Sequence, residues 1–278
     1  MKEKIAETLL GILSLLLVPY ICTIVLNGAG DALLNRGFNP ELFLPAVVAS
    51  EISSDYESET IKCQAVIART NFYRKKNSQD SFGNYIKEVS CRYNSISSFF
   101  NIIPDVYERA VSETEGKVLT LQGELKLVPY HEISAGKTRD GQEILHNDTY
   151  TYLKSVDSSA DKKATDYYSI IYIKKSRLPQ TLTIEKRDSC GYVTELAADG
   201  NIIEGEAFRK GMGLSSSNFT IQETGEKVRF LCRGKGHGLG FSQYGGNELA
   251  KNKSTYEEVL MNYFPEMEIN DIYQITYE

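Results

Sequence analysis

No tryptophan occurs in this chain, against 18 tyrosines and 11 phenylalanines, so any aromatic platform for a ligand must be built from Tyr or Phe. Long runs of like charge are missing as well. With a formal net charge of −6 and no basic stripe, a nucleic-acid-binding surface is disfavoured. The 5 cysteines contain no C-x-x-C pair, which argues against a structural zinc site. Four of them, Cys63, Cys91, Cys190 and Cys232, could form two bridges in three connectivities or none, and Cys22 stands apart near the start. The glycines form neither G-x-G-x-x-G nor G-K-[ST], so a phosphate-cradling loop is unsupported. There is no internal repeat, low-complexity tract or Pro/Gly-rich linker. What remains is ordinary globular composition, 41% hydrophobic and 24% charged, with enough apolar mass for a sizeable core.

The first positive signal is a stretch of 19 residues without charge, Thr8–Leu26, long enough to cross a bilayer. Lys2 and Lys4 precede it and are partly offset by Glu3 and Glu7, giving a weak positive-inside bias. No clean signal-peptidase site follows, although Asn27-Gly28-Ala29-Gly30 is small. The expectation is a cytoplasmic N-terminus at residues 1–7, a transmembrane anchor at 8–26 and an extracytoplasmic domain over 28–278.

Within that domain, periodicity predicts a helix near Leu42–Ile52, with Pro45 tolerated in its first turn. A stronger helix is expected over Glu57–Lys75, with the stripe Ile61, Ala65, Ala68, Phe72. Residues 77–104 have no clear assignment. A short helix over Asp105–Glu115 should end at Gly116, followed by strands Lys117–Leu121 and Glu124–Tyr130 joined at Gln122-Gly123. Further strands are expected at 167–175, 182–187, 192–196 and 227–234. Ser254 and Glu257 have capping-box spacing for a last helix ending before Pro265. Helices on largely antiparallel strands, around a groove, make the fold class α+β.

Chemistry-bearing residues fall in four clusters. Leu44, Val47, Val48 and Glu51 stand at i, i+3, i+4 and i+7, placing a carboxyl in line with an apolar stripe at a helix end. Partial desolvation there raises a carboxyl pKa, which suits a general acid; a Glu at the rim of the stripe reaching water is the plainer alternative. Arg69 lies between Val66 and Tyr73 at helical spacing, either snorkelling from a half-buried site or serving a hydroxyl-rich or acidic ligand. Tyr130, His131, Ser134 and Lys137 leave a strand into a Gly-containing loop, a common place for ligand contacts. Finally, residues 234–245 (GKGHGLGFSQYG) hold His237, Ser242, Gln243 and Tyr244. His237 with Ser242 invites a hydrolase reading, but no nucleophile elbow surrounds the Ser, which is equally placed to cap a helix.

Taken in order, these clusters resemble the SpoIID/LytB domain family. The resemblance rests on AVVASEI (46–52), IKCQAVIART (61–70), YHEISAGKT (130–138), YLKSV (152–156), GEAFRKGMGLSSSNFTI (205–221), GKGHGLGFSQYGGNELA (234–250) and YEEVLMNYFP (256–265). It implies a lytic transglycosylase that cuts peptidoglycan glycan strands between N-acetylmuramic acid and N-acetylglucosamine during engulfment in sporulating bacteria. The preferred strands would be stripped of stem peptides by a partner amidase, with a membrane partner in the same machinery. Glu51 matches the family's catalytic acid and Arg69 its motif arginine. Gln64, Tyr130, His131, Ser134, Lys137, Tyr152, Lys154, His237, Ser242, Gln243 and Tyr244 are implied as substrate contacts. The implied mechanism needs no second carboxylate nucleophile, although Asp55 and Glu57 lie nearby in sequence.

The departures from the family pattern also carry expectations. Some members hold zinc through cysteines after the YH strand, whereas residues 131–150 here contain His131 and His146 but no Cys, so no metal and no cofactor are expected. The usual glycine-rich SSGGKT reads Ser134-Ala135-Gly136-Lys137-Thr138, and the proline of the EMP motif is replaced by Ser53. The rival implied by the LytB side of the family is a non-catalytic wall-binding or amidase-enhancing module.

Overall fold

The computed structural model describes residues 40–77 and 103–275. The expected anchor at 8–26, Cys22, Cys91 and most of the unassigned 77–104 segment lie outside the described residues. Among those described, no helix is long and apolar enough to cross a membrane. Of the unit Met1–Phe43 only a short 3-10 helix, Pro40–Leu42, is described.

From Leu44 onward the chain is one unit of mixed helix and largely antiparallel sheet. Helix α1 (Leu44–Glu51), α2 (Ser58–Asn77) and α3 (Asp105–Glu113) come first. They bury Leu44, Val47 and Val48 against Ile61, Ala65 and Ala68, with Tyr107, Ala110 and Val111 closing the cluster. The expected apolar stripes are therefore the faces in contact. The other side of α2, Cys63, Val66 and Ile67, enters a second cluster with Leu119, Phe241, Leu260 and Phe264. With core on both sides, α2 must also bury Thr60, Gln64, Arg69 and Thr70, and buried polar groups need partners inside the protein.

Strands β1 (Lys117–Leu121) and β2 (Glu124–Leu125) form the expected hairpin, with Gln122 and Gly123 both at positive φ (53° and 81°), the conformation of a two-residue turn. The expected strand Glu124–Tyr130 breaks after Leu125, and β3 (Tyr130–His131) belongs to a different sheet. The cause is local. Asn71 clamps the Val128 backbone at both its N–H (3.0 Å) and its C=O (2.7 Å), and Tyr152 donates to the Leu127 carbonyl at 2.7 Å. Those backbone groups are satisfied by side chains and have no need of a ladder.

After a short helix α4 (Gly141–Leu145), strands β4 (Tyr168–Lys174), β5 (Leu182–Arg187), β6 (Val193–Ala198) and β7 (Asn201–Glu204) follow. Helix α5 (Gly205–Met212) precedes the hairpin β8 (Phe219–Thr224) and β9 (Lys227–Arg233). Two three-stranded sheets, β5-β6-β7 and β4-β9-β8, share a core of Val193, Leu196, Phe208, Phe219, Phe230 and Cys232. Strand β10 (Phe241–Ser242) lies parallel to β3, and β11 (Glu268–Asp271) pairs with β1. Helices α6 (Gln243–Lys251) and α7 (Tyr256–Tyr263) complete the chain. The capping box of α7 is Thr255 with Glu258, one residue beyond the expected Ser254 and Glu257 pair. Cys63, Cys190 and Cys232 carry free thiols.

Candidate active site

Glu51 closes α1, and its side chain meets a groove of about 460 Å³ walled by Ser50, Ile52, Ser53, Tyr56, Tyr107, Glu132 and Gln243. Gln64 of α2, fully buried, donates from Nε2 to Glu51 Oε2 at 2.8 Å. Gln243, at the start of α6, donates to the Glu51 carbonyl at 2.7 Å and to Gln64 Oε1 at 3.1 Å. The second contact orients the Gln64 amide so that its NH₂ faces the carboxylate. One buried relay, Gln243 to Gln64 to Glu51, thus fixes the acid from two helices. The turn after α1 is held by Tyr107, whose hydroxyl donates to Ile52 O at 2.8 Å. The start of α2 is capped from α6: Asn247 Oδ1 accepts from Glu57 N at 2.7 Å and from Thr60 Oγ1 at 3.2 Å.

Two further groove residues were not anticipated. Glu132 lines the groove opposite in sequence to its buried neighbour His131 and is ion-paired with Lys235. Tyr56 is also there, its phenol pushed up to about 12 by burial and then by the Glu132 charge, so it stays an O–H donor at neutral pH. Strand alternation was the available signal for Glu132: once His131 points inward, residue 132 points out. Nothing in the pattern around Tyr56 distinguished it from other turn tyrosines.

The other expected contacts fall elsewhere. Arg69 is fully buried and donates to Val111 O (3.0 Å), Lys117 O (3.2 Å) and Thr114 Oγ1 (3.2 Å), joining the end of α3 to β1. That corrects its expected role, because a guanidinium without exposed surface cannot touch a glycan. Tyr152 is buried with its hydroxyl on Leu127 O, so it too is a framework residue. Ser134 and Ser242 are fully buried around a carboxylate that sequence reasoning missed, Asp161. Asp161 accepts from Ser134 N (2.8 Å), Ser158 Oγ (3.0 Å) and Ser242 Oγ (2.8 and 3.0 Å). Burial raises its pKa, and these hydrogen bonds oppose the rise. Ser242 also caps α6 by accepting from Gly245 N at 3.5 Å. A Ser242 nucleophile is thereby excluded: its hydroxyl is committed to Asp161 and has no surface.

His131 and His237 lie with ring centroids 5.8 Å apart, and the backbone N–H and C=O of one residue, Leu239, set both tautomers. His131 Nδ1–H donates to Leu239 O at 3.0 Å, while His237 Nδ1 accepts from Leu239 N at 3.1 Å. Burial pushes the first ring down to about 3 and the second to about 4, so both are neutral. The rings approach this closely because Gly236 sits at φ +111°, and a Cβ there would lie 2.7 Å from that of His131. Arg139 anchors the same loop through the His237 carbonyl (3.1 Å), while pairing with Asp188 (2.6 Å) and Glu206 (3.3 Å). Among the described residues no group of three His, Cys, Asp or Glu is placed to bind a metal ion. Tyr130 and Tyr244 are half-buried against neighbouring core, Lys137 is exposed, and Lys154 pairs with Glu266 at 3.5 Å. A second cavity, about 480 Å³ beside Leu178, Leu182 and Ile221, carries only the Lys175–Glu223 ion pair and no chemistry of its own.

Fold and groove together define an α+β domain that presents one firmly oriented carboxyl at a helix end over an open, polar cleft. The sequence model of the SpoIID family, stage II sporulation protein, matches residues 34–121, which include Glu51, Gln64 and Arg69. Stage II sporulation protein D of Bacillus subtilis is 26% identical over 257 residues, covering 83% of this chain and 74% of that protein. Its counterpart in Bacillus amyloliquefaciens is 26% identical over 255 residues, with the same coverage. An uncharacterized protein of Brachyspira hyodysenteriae is 26% identical over 286 residues, 95% of this chain and 73% of that protein. The chain is thus similar to stage II sporulation protein D over most of its length, the resemblance its motifs implied.

Proposed function

We propose that the chain is a lytic transglycosylase of peptidoglycan with Glu51 as its single acid and base. The observation that carries this reading is the Gln243–Gln64–Glu51 relay, which spends two buried amides on orienting one carboxyl at a groove. Such investment is expected of a group whose geometry decides a reaction. An open cleft also suits a polymer better than a small metabolite.

In the proposed reaction Glu51 donates its proton to the glycosidic oxygen as the bond from the muramyl anomeric carbon breaks. Positive charge on that carbon is stabilised by the Glu51 carboxylate that proton donation leaves behind. The sugar's own 6-hydroxyl attacks the anomeric carbon, and its proton passes to the Glu51 carboxylate. The products are a 1,6-anhydromuramyl end and a free 4-hydroxyl on the departing N-acetylglucosamine, with Glu51 reprotonated for the next turnover. The Tyr56 hydroxyl is a donor for substrate oxygens in the same groove. Position outside the cytoplasm behind an anchor at 8–26, strands stripped by an amidase, and a role in engulfment with a membrane partner complete the proposal. The test is incubation of the protein with denuded glycan strands and mass analysis of the ends. Anhydro ends support the reading, and intact strands would make the protein a wall binder or amidase enhancer.

A further inference from the structure

The solvent side of sheet β4-β9-β8 differs in chemistry from the rest of this acidic chain. Strand β4 alternates strictly between half-buried and exposed residues, and turns Tyr168 (59% exposed), Ile170 (51%) and Tyr172 (54%) to solvent. Register places Arg233 opposite Tyr168, Leu231 opposite Ile170, Arg229 opposite Tyr172 and Lys227 opposite Lys174. The third strand adds Thr220, Gln222 and Thr224 on the same side. These rows therefore carry four cations, two tyrosines and no carboxylate, on a chain of net charge −6. Glu223 alternates to the other side, where it pairs with Lys175. Among the described residues none of the four cations has an ion-pair partner, and no strand pairs with the outer edge of β4. The ring of Tyr168 is held edge-on by Tyr167, with centroids 4.7 Å apart.

We propose that this face is an accessory binding surface for intact, peptide-bearing peptidoglycan, separate from the Glu51 groove. Cations at regular spacing match the repeated carboxylates of stem peptides, and exposed tyrosine rings stack on sugar faces. The face is flat, so it fits a polymer making many weak contacts. Tyr168 and Tyr172, four residues apart, span roughly 13 Å along the strand, which is more than one sugar. A stable protein partner is disfavoured, because Ile170 and Leu231 are the only aliphatic residues in the rows. This rests on the proposed wall substrate, and it gives the protein a hold on uncut wall while the groove takes stripped strands.

The experiment uses the full-length chain in detergent carrying Glu51→Gln, so that no strand is cut, and measures sedimentation with purified sacculi. Two variants are compared with it, Tyr168→Ser/Tyr172→Ser and Lys174→Glu/Lys227→Glu, after thermal melting has shown them folded. The expected result is at least a tenfold loss of sacculus binding in both, a loss that added salt reproduces in the parent chain. With Glu51 restored, both variants should cut short denuded strands at the parent rate. Unchanged sacculus binding overturns the proposal. So does a defect confined to vesicles containing phosphatidylglycerol, which would make the face a membrane surface. If the face binds sacculi but no strand is ever cut, the proposed activity fails and this inference stands.

Discussion

Two regions of the molecule carry the motifs that stand out in the sequence, and they use polar residues in opposite ways. At the end of α1, polar side chains converge on an open groove: Gln243 and Gln64 hold Glu51, with Tyr56 and Glu132 beside it. Around β3 and β10 the polar side chains turn inward. Asp161 gathers Ser134, Ser158 and Ser242, Arg139 gathers Asp188 and Glu206, and His131 and His237 both bond to the backbone of Leu239. The second region supplies Ser242 as the cap of α6, and the next residue is Gln243. On the proposed function, the first region does the chemistry and the second fixes its coordinates. Substitutions should therefore separate into those that stop turnover in a stable protein and those that unfold it.

The largest separation is expected at Glu51. Glu51→Gln should lower cleavage by at least about 10²–10⁴-fold, the usual worth of a general acid. Melting should shift little, because the Gln is isosteric and half-exposed. Near-normal turnover in this variant would remove the mechanism. Arg69→Ala is the opposite case. It should cost about 3–5 kcal/mol of stability, since it removes the buried guanidinium's hydrogen bonds to Val111 O, Lys117 O and Thr114 Oγ1. Denaturant titration checks this, and a stable Arg69→Ala protein with lost binding would restore the arginine to the site. Gln64→Leu lies between the two. It keeps the volume and loses the bond to Oε2, so kcat should fall by roughly tenfold with KM little changed, at about 1–3 kcal/mol of stability.

Sequence made the placement of Glu51 legible because its signal was geometric: an apolar stripe at i, i+3, i+4 ends in Glu51, and that stripe is the packed face. Strands β1, β5 and β9 were legible from alternation and turn residues for the same reason. Burial of the motif polar residues was not legible. Arg69, Ser134, Tyr152 and Ser242 were expected as ligand contacts from the motifs that carry the resemblance, yet α2 has core on both sides and β10 is enclosed. Asp161 lay outside every quoted motif; Ser158 is its sequence neighbour, but Ser134 and Ser242 are distant in sequence, so only the fold brings them to it.

A pH scan sharpens the comparison further. His131 and His237 are held near 3 and 4, below the ordinary value of 6.5, so the unfolded chain binds their protons first. Their contribution to stability is complete above about pH 6.5 and falls as pH drops toward 4, at about 1.4 kcal/mol per unit for each ring. Asp161, with its raised pKa, acts in the opposite sense, favouring the folded state as it takes up its proton. His131→Gln should flatten the slope between pH 6.5 and 4; an unchanged slope would contradict the burial argument. The smallest effect is expected from chelation, because the loop 131–150 lacks cysteine. Activity should survive chelator treatment, and about one zinc per purified chain, with activity lost on its removal, would reverse that.

The most direct measurement is the mass of the ends produced from denuded glycan strands by wild-type protein. The groove holds a second carboxylate, Glu132, already engaged by Lys235, and a single oriented acid, Glu51. If Glu51 works alone with the sugar's own 6-hydroxyl, every new muramyl end is a 1,6-anhydro end, 18 mass units below a reducing end because no water is added. Reducing ends instead would mean that the groove activates water with a second carboxylate, and would contradict the single-acid account.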